Sequence, residues 1–280
     1  MALAGVVSRA RGAWAGFHHP GSTRHRRGES DAAPPPPPRG HRTGPPDFVG
    51  VGAMKAGTSW WYRLMVDHPA VADVAGRPKE LHFFDRFFDR DLSDADAARY
   101  TEFFPRPEGR LAGEWTPRYM FDFWTPALVA RAAPDAKVFV LLRDPVDRFR
   151  SGISHEVSRG APLSLRLVNE QFARGDYLPQ LRRLRAVIHP DRILVLQYEQ
   201  CTTDTAVELA RTYEFLGVDP THRPPDTRTR VNPSRFPAPE FAQTTLHDMA
   251  RSYRSDFAAL ADLCPHLDPD RWRSTVELAS

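Results

Sequence analysis

Residues 136–142, AKVFVLL, form a continuous apolar run rich in β-branched side chains, with no polar face to turn toward water. A strand of that kind has to be covered on both sides, which is the condition of a parallel sheet between two helical layers. Two more buried strands are expected at 47–52 (DFVGVG) and 192–198 (RILVLQY), and shorter ones at 71–74 and around 111–115. Helical patterns alternate with them. In 58–69, Trp61, Leu64, Met65 and His68 fall at helical spacing, and Pro69 stops the run. In 144–157, Asp144 is the candidate N-cap and Pro145 the first helical residue. The pattern 205–217 ends in a glycine C-cap. The predicted fold is α/β, a parallel β-sheet flanked by helices on both faces, with ligands at the carboxyl ends of the strands.

The stretch DAAPPPPPRGHRTGPP, which ends at residue 46, lacks apolar periodicity. Residues 1–46 are therefore expected to be a disordered Pro/Arg-rich tail, and 47–280 a single domain. No apolar run approaches the roughly 18 residues of a membrane span. The opening MALAGVVSRARGAW carries its arginines after a short apolar run, a poor secretory pattern. The first acidic residue is Glu29, as in an organelle transit peptide, but the absence of an amphipathic period favours a basic tail. Cys201 and Cys264 make neither a disulfide framework nor a zinc site. One bridge between them is open; a reducing compartment, the cytoplasm, is the simpler reading. A net charge of +3 and no basic helix with interleaved aromatics argue against a nucleic-acid partner. Nothing in the sequence reads on oligomeric state.

Of 38 basic residues only Lys55, Lys79 and Lys137 are lysine. Lys55 stands inside a glycine-rich turn, FVGVGAMKAGTSWW, between a strand and a helix. That arrangement suits a phosphate, because loop and helix N-terminal N–H groups converge on one anion. The dinucleotide pattern G-x-G-x-x-G fails, since Gly50 and Gly52 fit but the sixth position is Lys55. The triphosphate loop G-x-x-x-x-G-K-[ST] fails as well, since Lys55 precedes Gly57. What remains is Gly52-x-x-Lys55-x-Gly57-Thr58-Ser59, a P-loop-like turn with a displaced lysine. A compact ammonium suits a tight turn around one bridging oxygen better than a planar guanidinium. By itself the pattern favours a plain strand-to-helix turn capped by Thr58, with a solvated lysine.

Two further stretches carry chemistry. In LLRDPVDRFRSGISH, Arg143 ends the strongest strand and Ser151 lies two helical turns on, a pair able to hold a second phosphate. In RPKELHFFDRFF, Glu80 and His82 sit among aromatics. Partial desolvation beside Phe83 and Phe84 is expected to raise the Glu80 pKa toward general-base duty. A salt bridge with Lys79 is the plainer role for Glu80, and a hydrogen-bonded core position the plainer role for His82.

With these stretches in order, the chain resembles the nucleotide-dependent sulfotransferases, in particular the branch with the heparan sulfate N- and 3-O-sulfotransferases and their bacterial relatives. GVGAMKAGTSWWYRLMVDHP is similar to that family's 5′-phosphosulfate loop, KELHFFD to its catalytic-glutamate segment and RDPVDRFRSGISH to its 3′-phosphate site. RILVLQYEQ and EFLGV resemble a later strand and helix, so the likeness runs from about Asp47 to Trp272. It implies sulfuryl transfer from 3′-phosphoadenosine 5′-phosphosulfate (PAPS) to a hydroxyl or amine of a carbohydrate, glycolipid or small-metabolite acceptor. On that resemblance Lys55, Ala56, Gly57, Thr58 and Ser59 hold the phosphosulfate, and Arg143 and Ser151 the 3′-phosphate. Glu80 is the general base with His82 in support, and Arg228 and Arg230 belong to a loop that closes over the nucleotide. No metal is expected, because a sulfonate carries less charge than a terminal phosphate. One departure stands out: in GEWTPRYMF, Trp115 occupies the place where the heparan sulfate enzymes usually carry a lysine. Arg118 or Lys79 then has to substitute, or Trp115 lines an acceptor pocket. The alternatives are a P-loop kinase and a nucleotide-binding protein of the same fold that has lost catalysis.

Overall fold

The computed structural model describes residues 33–74, 77–229 and 239–280. The expectations for residues 1–32 and for Arg230 lie outside the described residues.

The chain begins with a two-residue strand β1 (His41–Arg42), then β2 (Phe48–Gly52) and helix α1 (Thr58–Val66). Helix α2 (Asp94–Thr101), strands β3 (Arg106–Pro107) and β4 (Gly113–Trp115) and helix α3 (Thr125–Ala132) follow. Strand β5 (Lys137–Leu142) leads into α4 (Pro145–Ser158), α5 (Leu165–Ala173) and α6 (Tyr177–Val187). Strand β6 (Ile193–Gln197) is followed by α7 (Tyr198–Thr203) and α8 (Thr205–Leu216). Helices α9 (Gln243–Arg254), α10 (Phe257–Leu263) and α11 (Arg273–Leu278) complete the described chain.

Four strands make one parallel sheet in the order β4-β2-β5-β6, with Val49 opposite Val138 and Val140 opposite Val195. Successive side chains of β5 point to opposite faces. Phe139 packs edge-on against Phe215 of α8, while Val138 and Val140 face the other way. Both sets are fully buried, so helices cover both faces, as the apolar run requires. Chain order reverses at the centre: β2 leads out to β4, whereas its other neighbour β5 leads out to β6. The crevice between the carboxyl ends of β2 and β5 is the switch point where such sheets bind ligands.

Two expected elements shrink. The strand at 71–74 is a single parallel bridge, Val71 to Leu111, and the strand around 111–115 is β4 alone. Residues 41–46, assigned by sequence to the tail, lie against the domain. β1 pairs antiparallel with β3, and the buried Arg106 donates to the carbonyls of Gly44 (3.3 Å) and Pro45 (2.8 Å) and pairs with Asp47 (3.0 Å). Cys201 and Cys264 are both buried and unbridged. Among the described residues no helix is long and apolar enough to cross a membrane.

Candidate active site

Strand β2 delivers the chain into the switch-point crevice, and the turn that follows is tightly wound. Lys55 (φ 65°) and Gly57 (φ 91°) both adopt left-handed backbone, which is costly for a lysine and free for glycine. Gly57 is also the N-cap of α1 and supplies no side-chain cap, so the first N–H groups of the helix, at Thr58 and Ser59, face outward unmatched by any intrahelical carbonyl. A Cβ at Gly57 would meet the Tyr198 ring at 2.8 Å, so only glycine fits there. Ala56 is fully buried beneath the turn. Burial, and next the Arg143 charge, lower the Lys55 pKa. Two cations thus face one crevice, an arrangement that an anion between them would stabilise.

Arg143 leaves the end of β5 and donates to the Lys55 carbonyl at 3.3 Å, tying the two strand ends together. Its guanidinium lies over the Tyr198 ring, 5.1 Å from the centroid, and Tyr198 meets Trp60 of α1 edge-on. Its Nε is buried with no acceptor among the described residues. Asp144 caps α4 as expected, accepting from the Val146 N–H at 2.9 Å, and Pro145 takes the first position. Asp147, Ser151 and His155 then fall on one stripe of α4, four residues apart. Arg143 approaches Asp147 at 3.9 Å, and Lys55 acts electrostatically on His155, so the stripe that carries Ser151 overlooks the crevice.

On the other side of the loop the Lys79 ammonium reaches the Thr58 hydroxyl at 3.2 Å and a Glu80 carboxylate oxygen at 2.9 Å. The second Glu80 oxygen lies 3.3 Å from His82 Nε2, and His82 Nδ1 lies 2.7 Å from Asp85. Arg118 continues the chain, 3.8 Å from Asp85 and 2.6 Å from Asp122. Here the expectation for Glu80 is corrected. Burial does push its carboxyl up, but the His82 hydrogen bond and the Lys79 charge outweigh it and hold the pKa down at about 2. His82 moves the opposite way: burial lowers it, yet the Asp85 and Glu80 carboxylates raise it to about 10. Asp85 went unnoticed in the sequence, although its place three residues after His82 was the available signal.

A raised histidine pKa stabilises the fold fully below its unfolded value near 6.5, and that contribution is lost as pH climbs toward 10. We therefore expect the His82 ring to remain an imidazolium at pH 8, with both ring nitrogens protonated in 15N-detected spectra. A neutral ring at that pH would show that the two carboxylates do not hold it.

Segment 113–119 fixes this chain of charges. The Leu81 N–H donates to Glu114 (3.1 Å) and to the Thr116 hydroxyl (3.0 Å), and the Phe83 N–H to the Tyr119 hydroxyl (2.9 Å). Glu114 is fully buried and also accepts from the Tyr100 (2.7 Å) and Tyr119 (3.2 Å) hydroxyls. These bonds hold His82 in left-handed backbone (φ 50°) with its ring turned toward Glu80. Glu114 is a positioning residue that sequence alone did not single out. Trp115 does not line a pocket: it is fully buried, stacks over Gly50 and donates to the Gly52 carbonyl at 3.0 Å.

Arg228 lies in a segment fastened to α1. Arg63 donates to Asp226 (3.1 Å) and to the Thr229 carbonyl (3.0 Å), and the Trp60 indole to the Thr227 carbonyl (2.9 Å). Among the described residues no group of three or more His, Cys, Asp or Glu is placed to hold a metal ion.

Comparison with known proteins gives a consistent answer. Residues 45–236 match the family described as "Sulfotransferase domain". The human bifunctional heparan sulfate N-deacetylase/N-sulfotransferase 3 is 27% identical over 197 residues, 62% of this chain and 22% of that protein. Human heparan sulfate glucosamine 3-O-sulfotransferase 3B1 is 28% identical over 188 residues, 62% of this chain and 46% of that protein. The chain thus spans less than half the length of these curated relatives. Among solved structures, a sulfotransferase from Alicyclobacillus acidocaldarius superposes with a TM-score of 0.64 at 25% identity, over 81% of this chain and 98% of that one.

Proposed function

The chain belongs to the sulfotransferase family, and on that premise we propose that it moves the sulfuryl group of PAPS onto a hydroxyl, or an amine, of a carbohydrate, glycolipid or small-metabolite acceptor. The observation that carries the reading is the pair of cations, Lys55 and Arg143, on opposite sides of the switch-point crevice, with Glu80 beyond Lys79 on the acceptor side. In this reading Lys55, Ala56, Gly57, Thr58 and Ser59 cradle the 5′-phosphosulfate. Arg143 and the Ser151 hydroxyl take the 3′-phosphate, and the Trp60–Tyr198 pair walls the nucleoside between them. Arg228 and Arg230 are assigned, on the family resemblance alone, to the loop that closes over the nucleotide.

The chemistry parallels phosphoryl transfer, in which the transition state is loose and in line and charge gathers on the leaving oxygen. Lys55 and the loop N–H groups stabilise that oxygen. Lys79, poised at the Thr58 hydroxyl, faces the sulfuryl oxygens and takes the role of the lysine replaced by Trp115. Glu80 accepts the acceptor's proton, oriented by the His82 imidazolium, which Asp85 holds in turn. No metal step is required by this charge balance. The free buried thiols Cys201 and Cys264 favour a reducing compartment, and we place the enzyme in the cytoplasm.

Calorimetry with adenosine 3′,5′-bisphosphate in the absence of magnesium tests the nucleotide site. Tight binding is expected, weakened roughly 10- to 100-fold by Lys55→Ala and by Arg143→Ala, since each removes a charge-assisted contact to phosphate. Absence of binding, or a preference for magnesium ATP, would return the chain to the kinase reading.

A further inference from the structure

The acceptor side carries a surface that the mechanism does not use. Phe88 is 68% exposed and Phe123 73% exposed, far more than the core position that aromatics in such stretches normally take. Both rings flank Trp124, at 6.2 and 5.2 Å between centroids, and the Trp124 indole is fixed by donating to the Phe84 carbonyl at 3.3 Å. The trio is joined directly to the chain of charges. Phe84 precedes Asp85, the partner of His82, and Phe123 follows Asp122, the partner of Arg118. The platform is built on the two segments, 80–88 and 118–124, that carry the chain of charges from Glu80 to Asp122.

The charges of this surface are as telling as its rings. Lys79 is closed on Glu80 at 2.9 Å, Arg118 on Asp122 at 2.6 Å, Arg174 on Glu170 at 2.6 Å and Arg90 on Asp96 at 2.9 Å. Arg86 lies across the rings of Phe83 and Phe87. A polyanionic glycan would compete for cations that are already paired and would meet the Asp85 and Glu170 carboxylates, so like charge disfavours it. A neutral molecule leaves every pair intact and gains the exposed rings.

We propose that Phe88, Phe123 and Trp124 form the acceptor subsite, and that it takes an uncharged hydroxylated acceptor bearing an aromatic or flat apolar ring, not a polyanionic heparan-like chain. This rests on the acceptor side of the sulfotransferase reading. The anchored ring slides over the platform while its hydroxyl reaches Glu80.

The test uses the full chain saturated with adenosine 3′,5′-bisphosphate and three probes: 4-nitrophenyl β-D-glucoside, methyl β-D-glucoside and N-desulfated heparan sulfate fragments. Aromatic stacking predicts that the aryl glucoside binds about tenfold tighter than the methyl glucoside. Phe88→Ser with Phe123→Ser should abolish that preference and leave bisphosphate affinity unchanged. These substitutions are on exposed side chains, so the fold tolerates them. An aryl preference that survives the double substitution overturns the proposal, as does tighter binding of the heparan fragments than of the aryl glucoside. Failure of the bisphosphate to bind would instead strike the nucleotide reading. In that case the aryl-to-methyl ratio on the unloaded chain still judges the platform.

Discussion

Glu80→Gln is expected to lower turnover by roughly 10²- to 10⁴-fold, the span associated with a positioned general base, and to leave adenosine bisphosphate affinity unchanged. The substitution keeps shape and leaves a carbonyl oxygen for His82 to donate to, but it removes the site that receives the proton. Nucleotide affinity should survive because the groups assigned to the phosphates are Lys55 and Arg143, whereas Glu80 lies beyond Lys79 and is assigned to the acceptor. A carboxyl held at about 2 is a weak base in the resting protein. In a loose transfer that weakness matters less. The acceptor oxygen becomes acidic only as its bond to sulfur forms, so the proton moves late, to a carboxylate already in place. If Lys79 serves the sulfuryl group as proposed, its pull on Glu80 weakens when the sulfonate arrives, and the carboxyl's basicity rises. The low pKa predicts no Glu80-controlled acid limb between pH 5 and pH 8 in the wild-type profile of kcat/KM, since the group is ionised throughout. A Gln variant with near-normal turnover would remove Glu80 from the reaction and leave it a structural partner of Lys79.

What could be read from the sequence follows from how local each feature is. The runs that became β2, β5 and β6 carry their own burial requirement, and the caps at Asp144 and Gly217 satisfy backbone groups next to them. The turn at Lys55 and Gly57 became legible only together with the stretches at Glu80 and Arg143; in the fold both of its residues adopt left-handed backbone. The strand expected at 71–74 dwindled to one bridge because so short an extended segment takes its form from its partner, Leu111. The Glu80 pKa was misjudged because the deciding charges converge through space: the left-handed turn at His82 brings its ring back onto a carboxylate two residues away. Trp115 could be read as pocket or core, and only the vacancy over Gly50, which its ring fills, decides for core. The exposure of Phe88 and Phe123 was invisible for the same reason, since aromatic-rich segments normally read as interior.

Lys79→Ala should cost turnover roughly 10²- to 10³-fold, the usual loss when a group stabilising transition-state charge is removed. At position 115 a tryptophan stands in place of the lysine usually carried by the heparan sulfate enzymes that the sequence resembles. Two cations were available to replace it. Arg118 is committed to Asp122 at 2.6 Å and points away along the chain of charges. Lys79 instead places its ammonium 3.2 Å from the Thr58 hydroxyl, at the mouth of the loop assigned to the phosphosulfate. If its role is at the sulfuryl group, the variant should bind adenosine bisphosphate normally, because that ligand has no sulfonate, and lose affinity for PAPS and turnover together. Equal losses for both nucleotides would reduce Lys79 to a clamp on Thr58. Removing the cation also lets the Glu80 pKa rise from about 2, so an acid limb should enter the kcat/KM profile, with activity falling as pH drops through the new value. Lys79→Arg should restore only part of the rate, since a planar guanidinium fits a compact ammonium site poorly. Trp115→Lys should rescue nothing in the Lys79→Ala background. It would empty the space over Gly50 and bury a charge there, at a stability cost of about 3–5 kcal/mol or more, visible as a lower melting temperature before any gain in rate could be read.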